Sequence, residues 1–98
     1  MGKSKVTIWG NIKDQPELRY TPSGTAVMNI TVPTDSGWGD KKTTAWNEIV
    51  LWGKTAEFVS KHFNKGSFII VSGEIEQQSW DDRETGKKRH KMVIKASD

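Results

Sequence analysis

Five stretches of the chain alternate apolar and polar residues with the period of a β-strand, and one stretch has the spacing of a helix. The strand-like stretches are 5–9, 25–32, 44–52, 67–80 and 89–96. The helix-like stretch runs from Thr55 to a stop at Lys65-Gly66, and its apolar stripe consists of Ala56, Val59, His62 and Phe63. A parallel sheet needs helices on both faces, and one helix cannot supply them. The sequence therefore predicts an all-β fold.

The order of the strands, and a glycine within the fourth of them, favour a closed barrel. The second strand has a core face that recurs with period two, formed by Ala26, Met28, Ile30 and Val32. Pro33 is expected to end that strand, and the polar segment 34–43 is expected to be a mobile loop. Gly73 interrupts the fourth strand, where a bend would let a long strand curl. Five strands with one helix between strands 3 and 4 fit a five-stranded Greek-key barrel, the oligonucleotide/oligosaccharide-binding (OB) fold.

Length and composition exclude several classes of protein. The 98 residues suit one domain, 1–98, and the longest apolar run, 68–71, is far shorter than the roughly 20 residues that cross a membrane. No apolar segment follows Lys3 and Lys5, so no secretory leader is predicted. The chain has no Cys, which excludes disulfides and thiolate metal sites and is compatible with a reducing, cytoplasmic setting.

Tryptophan is the unusual residue of this composition. The chain has five Trp but one Tyr and three Phe. A small core has little room for five indoles, because each buried N–H needs a partner. Trp46 and Trp52 lie on one face of the third strand, about 20 Å apart. The opposite face already supplies core residues, namely Asn47, Ile49 and Leu51. We therefore predict that Trp46 and Trp52 are exposed for binding, the alternative being that they close the barrel or pack at an oligomer interface.

The remaining aromatic and basic residues extend this prediction. Trp38 lies between glycines in the loop 34–43, and Trp80 ends the fourth strand. The basic residues that follow the indoles in sequence are Lys41, Lys42, Lys54, Arg83, Lys87, Lys88 and Arg89. Cations contact phosphates while aromatic rings stack on bases, so the pattern predicts a groove for single-stranded nucleic acid. Glu48 and Glu76 share the presumed binding face and are expected to lower affinity or to orient a base edge.

Other residues are assigned to structure or left open. Phe68 and Ile70 face away from the core pattern of their strand and are candidates for a subunit interface, whereas Trp9 is left open, with a place in the core or an interface at least as favoured as a role in binding. Gly53-Lys54-Thr55 resembles the end of a phosphate-binding loop, but Glu48 stands where that motif needs its first Gly. His62 and His90 have no spaced ligand or nucleophile partner. We predict no catalysis, no metal and no cofactor.

Several blocks in order resemble a known family. The matching segments are 10–11, 16–20, 26–30, 46–57, 65–67 and 71–75, followed by Trp80. Together they resemble the bacterial-type single-stranded-DNA-binding protein family over nearly the whole chain. The resemblance implies an OB fold that assembles as a homotetramer, with a dimer as the alternative, and wraps single-stranded DNA in replication, recombination or repair. It implies a cytoplasmic, nucleoid-associated protein of a bacterial cell or a phage-infected host.

The resemblance also implies site residues. The family's stacking aromatics fall on Trp38, Trp46, Trp52 and Trp80, and its basic residues fall on Lys5, Lys54 and Arg89. This chain departs from the family at Glu48, Glu76 and Gln78, where relatives often carry basic residues, so we expect modest affinity or a different DNA path. The family's long tail, which ends in an acidic and hydrophobic tip, is not seen after Asp98, so we expect either a trimmed chain or a tail-less phage, plasmid or accessory relative, and partners recruited by such a tail are not supported.

Two alternatives share the predicted fold. One is a protein-interaction OB module of the primosome accessory type, in which the Trp face docks a protein partner. The other is an RNA-binding OB domain. Quenching of tryptophan fluorescence by single strands, and competition between oligo-dT and oligo-U, would separate these alternatives from DNA binding.

Overall fold

The computed structural model describes residues 3–96, with side chains given for all of these except 78, 80 and 88–93. The described strands are β1 (Val6–Asn11), β2 (Arg19–Tyr20), β3 (Ala26–Ser36), β4 (Thr43–Trp52), β5 (Phe68–Asp81) and β6 (Lys88–Ala96). A short 3₁₀ helix (Gly39–Lys41) separates β3 from β4, and the α-helix α1 (Gly53–His62) separates β4 from β5. The prediction of an all-β chain with one α-helix before the fourth long strand is confirmed for the described residues.

The strands form one sheet in the order β1-β5-β6-β4-β3-β2. Its neighbouring strands are antiparallel, except that β4 and β6 run parallel. The sheet curls until β1 meets β3, where the Lys13 N–H donates to the Thr31 carbonyl over 2.9 Å. Where the strands meet, a Cβ on Gly10 would lie 2.9 Å from Val32 Cγ1. A residue without a side chain therefore lets β1 close the barrel, in agreement with the predicted OB fold.

The core lies inside this barrel. The four residues predicted from the period of the second strand, Ala26, Met28, Ile30 and Val32, are all buried. Ile49 and Leu51 lie opposite Ile30 and Met28 on β4 and are also buried. Ala56 and Val59 of α1 pack into the same cluster. Burial of each large aliphatic side chain contributes about 1.5–3 kcal/mol, so this cluster fixes which face of β4 points outward.

Gly73 is the residue at which β5 changes its partner. Residues 68–73 of β5 pair with β1, and residues 73–81 pair with β6. A Cβ on Gly73 would collide with the Lys95 carbonyl oxygen. The bend expected at this glycine is thus the point where one strand passes between two parts of the barrel.

Three strand boundaries differ from the sequence prediction. β1 continues through Gly10-Asn11, because the glycine is needed for barrel closure rather than for a turn. β2 is a sixth strand, whose two residues are too few to show a period. β3 continues past Pro33 to Ser36, so the expectation that Pro33 ends it was wrong. Side-chain bonds across the strand ends hold this extension together, among them Ser36 Oγ to Thr43 Oγ1 at 3.0 Å.

His62, predicted on the apolar stripe of the helix, and Ile75 of β5 are both exposed. His62 lies in the last turn of α1, beyond the buried pair Ala56 and Val59, and its ring contacts the Phe58 ring with centroids 4.6 Å apart. Ile75 has the parity of the buried residues Ile69 and Val71 but lies at the barrel mouth and is 45% exposed. In the described part of the chain, no helix is long and apolar enough to span a membrane.

Candidate nucleic-acid interface

The outer face of β3 and β4 carries two exposed indoles. Trp46 is 62% exposed and Trp52 is 42% exposed, because the inward positions of β4 are taken by Asn47, Ile49 and Leu51. Trp46 lies opposite Pro33, and Trp52 lies opposite Val27. The alternative in which these indoles fill the barrel is therefore wrong. We call this surface, with Glu48 and Val50 between the two Trp residues, the Trp face.

A small apolar contact supports the Trp face from within. Val27 and Val50 are both buried and form a cluster of their own on the outer side of the sheet. Their contact holds β3 against β4 between the outward positions. Trp52 is the cross-strand partner of Val27, so it is supported by packed strand residues rather than by a loop.

Arg19 lies beside the Trp face and was missed by the sequence reasoning. It pairs with Val27, so Arg19, Val27 and Trp52 form a row across β2, β3 and β4. Its Nη2 donates to Asn29 Oδ1 over 2.8 Å, which fixes the guanidinium against the outer side of β3. An Arg held in this way can still donate to a phosphate through its other N–H groups. In the sequence, Arg19 was marked only by its place in the block 16–20, which resembles the family.

Lys13 is a second residue that the sequence did not assign. Its ammonium nitrogen lies 5.1 Å from the centroid of the Trp46 ring, within the range of a cation–π contact. The backbone bond from Lys13 to Thr31 places it there. Lys13 belongs to the turn after β1, and no period in the sequence relates it to the third predicted strand.

Trp38 lies at the tip of the arm formed by the ends of β3 and β4. Its side chain is 88% exposed. The Trp38 carbonyl accepts from the Lys41 N–H over 3.1 Å, which closes the 3₁₀ turn. Gly37 has a φ of +80°, and a Cβ there would collide with the Lys41 carbonyl oxygen. The segment 34–43, expected to be a mobile loop, is strand at its two ends, 34–36 and 43, and contains a short 3₁₀ turn that presents Trp38.

An ion pair on the same arm involves a predicted DNA-binding residue. Lys42 Nζ lies 3.3 Å from Asp35 Oδ2, and Thr44 Oγ1 donates to Asp35 Oδ1 over 2.7 Å. The Thr44 hydrogen bond, followed by the Lys42 contact, holds the pKa of Asp35 below its ordinary value of 3.8. Lys42 therefore already contacts a carboxylate in the absence of DNA.

The other predicted basic residues with described side chains lie on three different parts of the chain. Lys54 is exposed in the first turn of α1, two residues after Trp52. Lys5 is exposed just before β1, and Lys87 is exposed in the turn between β5 and β6. This turn is held by Asp82, whose Oδ1 accepts from the Glu84 N–H over 2.8 Å.

Three predicted residues have side chains outside the described set. These are Trp80, Lys88 and Arg89. Their backbone lies in the second arm, where Trp80 pairs with Arg89 and the last pair joins Asp81 to Lys88. The structure thus places one aromatic and one basic position opposite each other on this arm.

A separate apolar surface lies on the outer side of β1 and β5. Trp9 pairs with Ile70, and Asn11 pairs with Phe68. Trp9, Phe68 and Ile70 are each between 57% and 63% exposed. Trp9 is therefore not a core residue, and it adjoins the two residues predicted to form a subunit interface. We call these three residues the β1–β5 patch.

Metal chemistry finds no support among the described residues. In that part of the chain, no group of three His, Cys, Asp or Glu side chains lies close enough to hold a metal ion. The adjacent acidic residues Asp81 and Asp82 span the end of β5 and the following turn.

Comparison with known proteins gives the family. The sequence model described as the single-strand binding protein family matches residues 3–98. The chain belongs to this family. It is 36% identical over 102 residues to "Single-stranded DNA-binding protein 1" of Chlorobaculum tepidum. That match covers 99% of this chain and 63% of the relative, so the chain spans less than two thirds of the relative's length. The family resemblance stated from the sequence blocks is confirmed.

Proposed function

We propose that residues 1–98 act as one domain that binds single-stranded DNA without a defined recognition sequence and without catalysis. The observation that carries the proposal is the Trp face, on which Trp46 and Trp52 stand exposed about 20 Å apart. Membership of the single-strand binding protein family and the name of the Chlorobaculum tepidum relative support it.

Base stacking supplies the first part of the mechanism. Every nucleobase has a π face, so an exposed indole accepts any of them, and each stacked base contributes about 1–3 kcal/mol. Trp46 and Trp52 are separated by enough strand for several unpaired nucleotides to lie between them. Trp38 on the β3–β4 arm and Trp80 on the β5–β6 arm would extend the stacking surface at its ends.

Phosphate contacts supply the second part. Arg19 lies in one row with Trp52, and Lys54 follows Trp52 on α1, so both reach the backbone of a strand stacked there. Lys5, Lys42, Lys87, Lys88 and Arg89 are proposed as further contacts. Each neutralised phosphate releases counterions, so affinity falls as salt concentration rises. The Asp35 carboxylate weakens the Lys42 contact, in line with a modest overall affinity.

The β1–β5 patch is proposed as a contact between copies of this chain. Exposed aromatic and aliphatic side chains on neighbouring strands form an apolar area that is stabilised when it is covered. β1 also lies at one end of the sheet order, where a second β1 could add to it. A homotetramer is the assembly that we favour, and a dimer is the alternative.

The proposed setting is the bacterial cytoplasm, at the nucleoid or in a phage-infected host. There the protein would cover single strands that arise in replication, recombination or repair. Stacking bases against indoles keeps them from pairing, which is the physical basis of protection. This role needs no cofactor.

The test is a fluorescence titration. Oligo-dT should quench the intrinsic tryptophan emission, and the affinity should fall steeply between low and moderate salt. Duplex DNA of equal mass is the control and should quench much less, because its bases are already stacked. Equal quenching by the duplex would contradict the proposal. Tighter binding of oligo-U than of oligo-dT would assign the chain to RNA instead.

A further inference from the structure

A cavity lies between the two arms of the barrel, next to the Trp face. The β3–β4 arm is paired out to Ser36 and Thr43, and the β5–β6 arm is paired out to Asp81 and Lys88. Between β4 and β6 the described pairs are at 49–50 and 94–95. The arms diverge from that point, and the cavity, about 250 Å³ in volume, lies at the base of the cleft between them.

The lining of this cavity is apolar on one side and polar on the other. Val6 and Ile8 of β1, Ile75 of β5 and Ile94 of β6 contribute the apolar part, and exposure of Ile75 marks the opening. Trp46, Asn47 and Glu48 contribute the rest. At about 30 Å³ per water, the volume corresponds to roughly eight water molecules, which is room for one ring and not for a longer ligand.

The polar side chains of β4 offer mainly acceptors to an occupant. Asn47 Nδ2 already donates to the Val32 carbonyl over 2.9 Å and to Thr34 Oγ1 over 3.0 Å. Its two N–H bonds are therefore used within the protein. Glu48 brings a carboxylate with about four acceptor positions, so it can accept from a ligand in addition to any protein donor. The indole N–H of Trp46 is the donor in this set.

We propose that this cleft takes one nucleobase with an exocyclic amino group, cytosine in preference to uracil or thymine, with Glu48 as the acceptor. The inference rests on the proposed binding of single-stranded DNA. A base held against Trp46 has its edge beside the neighbouring outward residue of β4, which is Glu48. Carboxylates recognise cytosine through its N4 amino group. Uracil and thymine present a carbonyl oxygen at the same ring position, which the carboxylate repels, and can offer Glu48 only the single N3–H beside it.

The chain thus tolerates any sequence along most of its groove but discriminates at one position. Stacking on Trp52 or Trp38 responds to the π face of a base and not to its edge. At Trp46 the cleft brings an edge acceptor next to the ring. The Glu48 carboxylate thus disfavours phosphate but can accept a hydrogen bond from the amino group of a base.

The test compares oligo-dC, oligo-dU and oligo-dT of equal length, labelled and titrated at one salt concentration with fluorescence anisotropy as the readout. Cytosine and uracil differ at the 4-position and N3 but not in size. The intact chain should bind oligo-dC roughly fivefold more tightly than oligo-dU, which is at the lower end of the discrimination by one good base contact. Oligo-dT should behave like oligo-dU, because the extra methyl group leaves the 4-carbonyl in place.

Two variants assign the preference to Glu48. In Glu48→Gln the amide both donates and accepts, so the ratio of dC to dU affinity should fall close to one. Glu57→Gln removes the same charge from the exposed side of α1 and should leave the ratio unchanged. Loss of a negative charge raises the affinity for oligo-dC and oligo-dU alike, so the ratio of the two affinities is free of this general effect.

The outcomes distinguish failure of the cytosine preference from failure of the proposed DNA binding. Equal affinity for oligo-dC and oligo-dU in the intact chain, or a preference that Glu48→Gln leaves unchanged, would overturn this inference while DNA binding itself stands. Failure to bind any of the three oligonucleotides would overturn the proposed function together with this inference.

Discussion

The Trp face and the β1–β5 patch both expose aromatic side chains on the outer side of the same sheet, but they differ in charge. Lys13 lies over Trp46, and Arg19 shares a row with Trp52. Around Trp9 the outward neighbours on β1 and β5 are neutral, with Thr7 Oγ1 and Ser72 Oγ 2.9 Å apart. Protein interfaces are depleted of charge at their centre, whereas nucleic-acid interfaces need cations. Cations set directly beside the indoles therefore distinguish the Trp face, although charged residues also border the patch, since Asp35 lines a cavity with Trp9 and Lys54 lines one with Ile70.

The largest effect is expected at the β1–β5 patch. Ile70→Asp would place a carboxylate among the exposed aromatic and aliphatic side chains of the patch, and an uncompensated charge buried there costs about 3–5 kcal/mol. The variant should therefore dissociate to protomers in a native mass measurement. Tyr20→Asp introduces the same charge at an exposed residue outside the patch and should leave the mass unchanged. A protomer mass for the unaltered chain would show that the patch does not join copies of this protein.

The second prediction concerns the Trp face. Trp46→Ala removes one stacking platform and should weaken oligo-dT binding by about 1–3 kcal/mol, or roughly 5- to 150-fold. Trp46→Phe keeps a flat ring and should retain most of the affinity. Anisotropy of a labelled oligonucleotide avoids the loss of intrinsic fluorescence. The two variants must differ from each other, since equal losses would point to a structural role for this residue.

The cations beside the indoles should control the salt dependence. Arg19→Ala removes one proposed phosphate contact, so the slope of log affinity against log salt should become shallower by about 0.7. Lys65→Ala removes an equal charge from the turn after α1 and serves as the control. The measurement is a set of oligo-dT titrations at several salt concentrations. An unchanged slope in Arg19→Ala would leave Arg19 as a structural partner of Asn29 only.

The sequence predicted the faces of the strands better than the residues that meet across them. The two-residue period of β4 predicted Ile49 and Leu51 inside the barrel. Trp46 and Trp52 then had to lie outside, because only one face of the strand can be buried in the core. Lys13 and Arg19 escaped prediction because their positions depend on long-range events, barrel closure at Thr31 and a two-residue strand. Such contacts leave no period in the chain.

The same limit applies to loops and to the cavity. A polar, glycine-rich segment was interpreted as a mobile loop, but cross-strand bonds such as Ser36 to Thr43 extend the strands into it. Glu48 was placed on the binding face from its parity. The cavity beside it arises because the two arms diverge beyond Ile49 and Ile94, which no local pattern records.

The smallest effect is expected at the ion pair on the β3–β4 arm. Asp35→Asn removes the carboxylate that contacts Lys42, so Lys42 becomes a better phosphate ligand and oligo-dT affinity should rise slightly, by a few-fold at most, because the pair is exposed. Asp40→Asn removes an equal charge from the exposed turn at the tip of the same arm and is the matched control. A rise of the same size in both variants would assign the gain to net charge alone.

The pH dependence of the same pair has a defined sign. The pKa of Asp35 lies below 3.8 in the folded chain, so the carboxylate is ionised above that value and the contact with Lys42 is complete. The stabilisation from this pair is lost only as the pH falls through the lowered pKa, because protonation then removes the charge. Between pH 5 and 8 the affinity ratio of Asp35→Asn to the unaltered chain should therefore stay constant. A ratio that changes within this window would show that a group other than Asp35 controls Lys42.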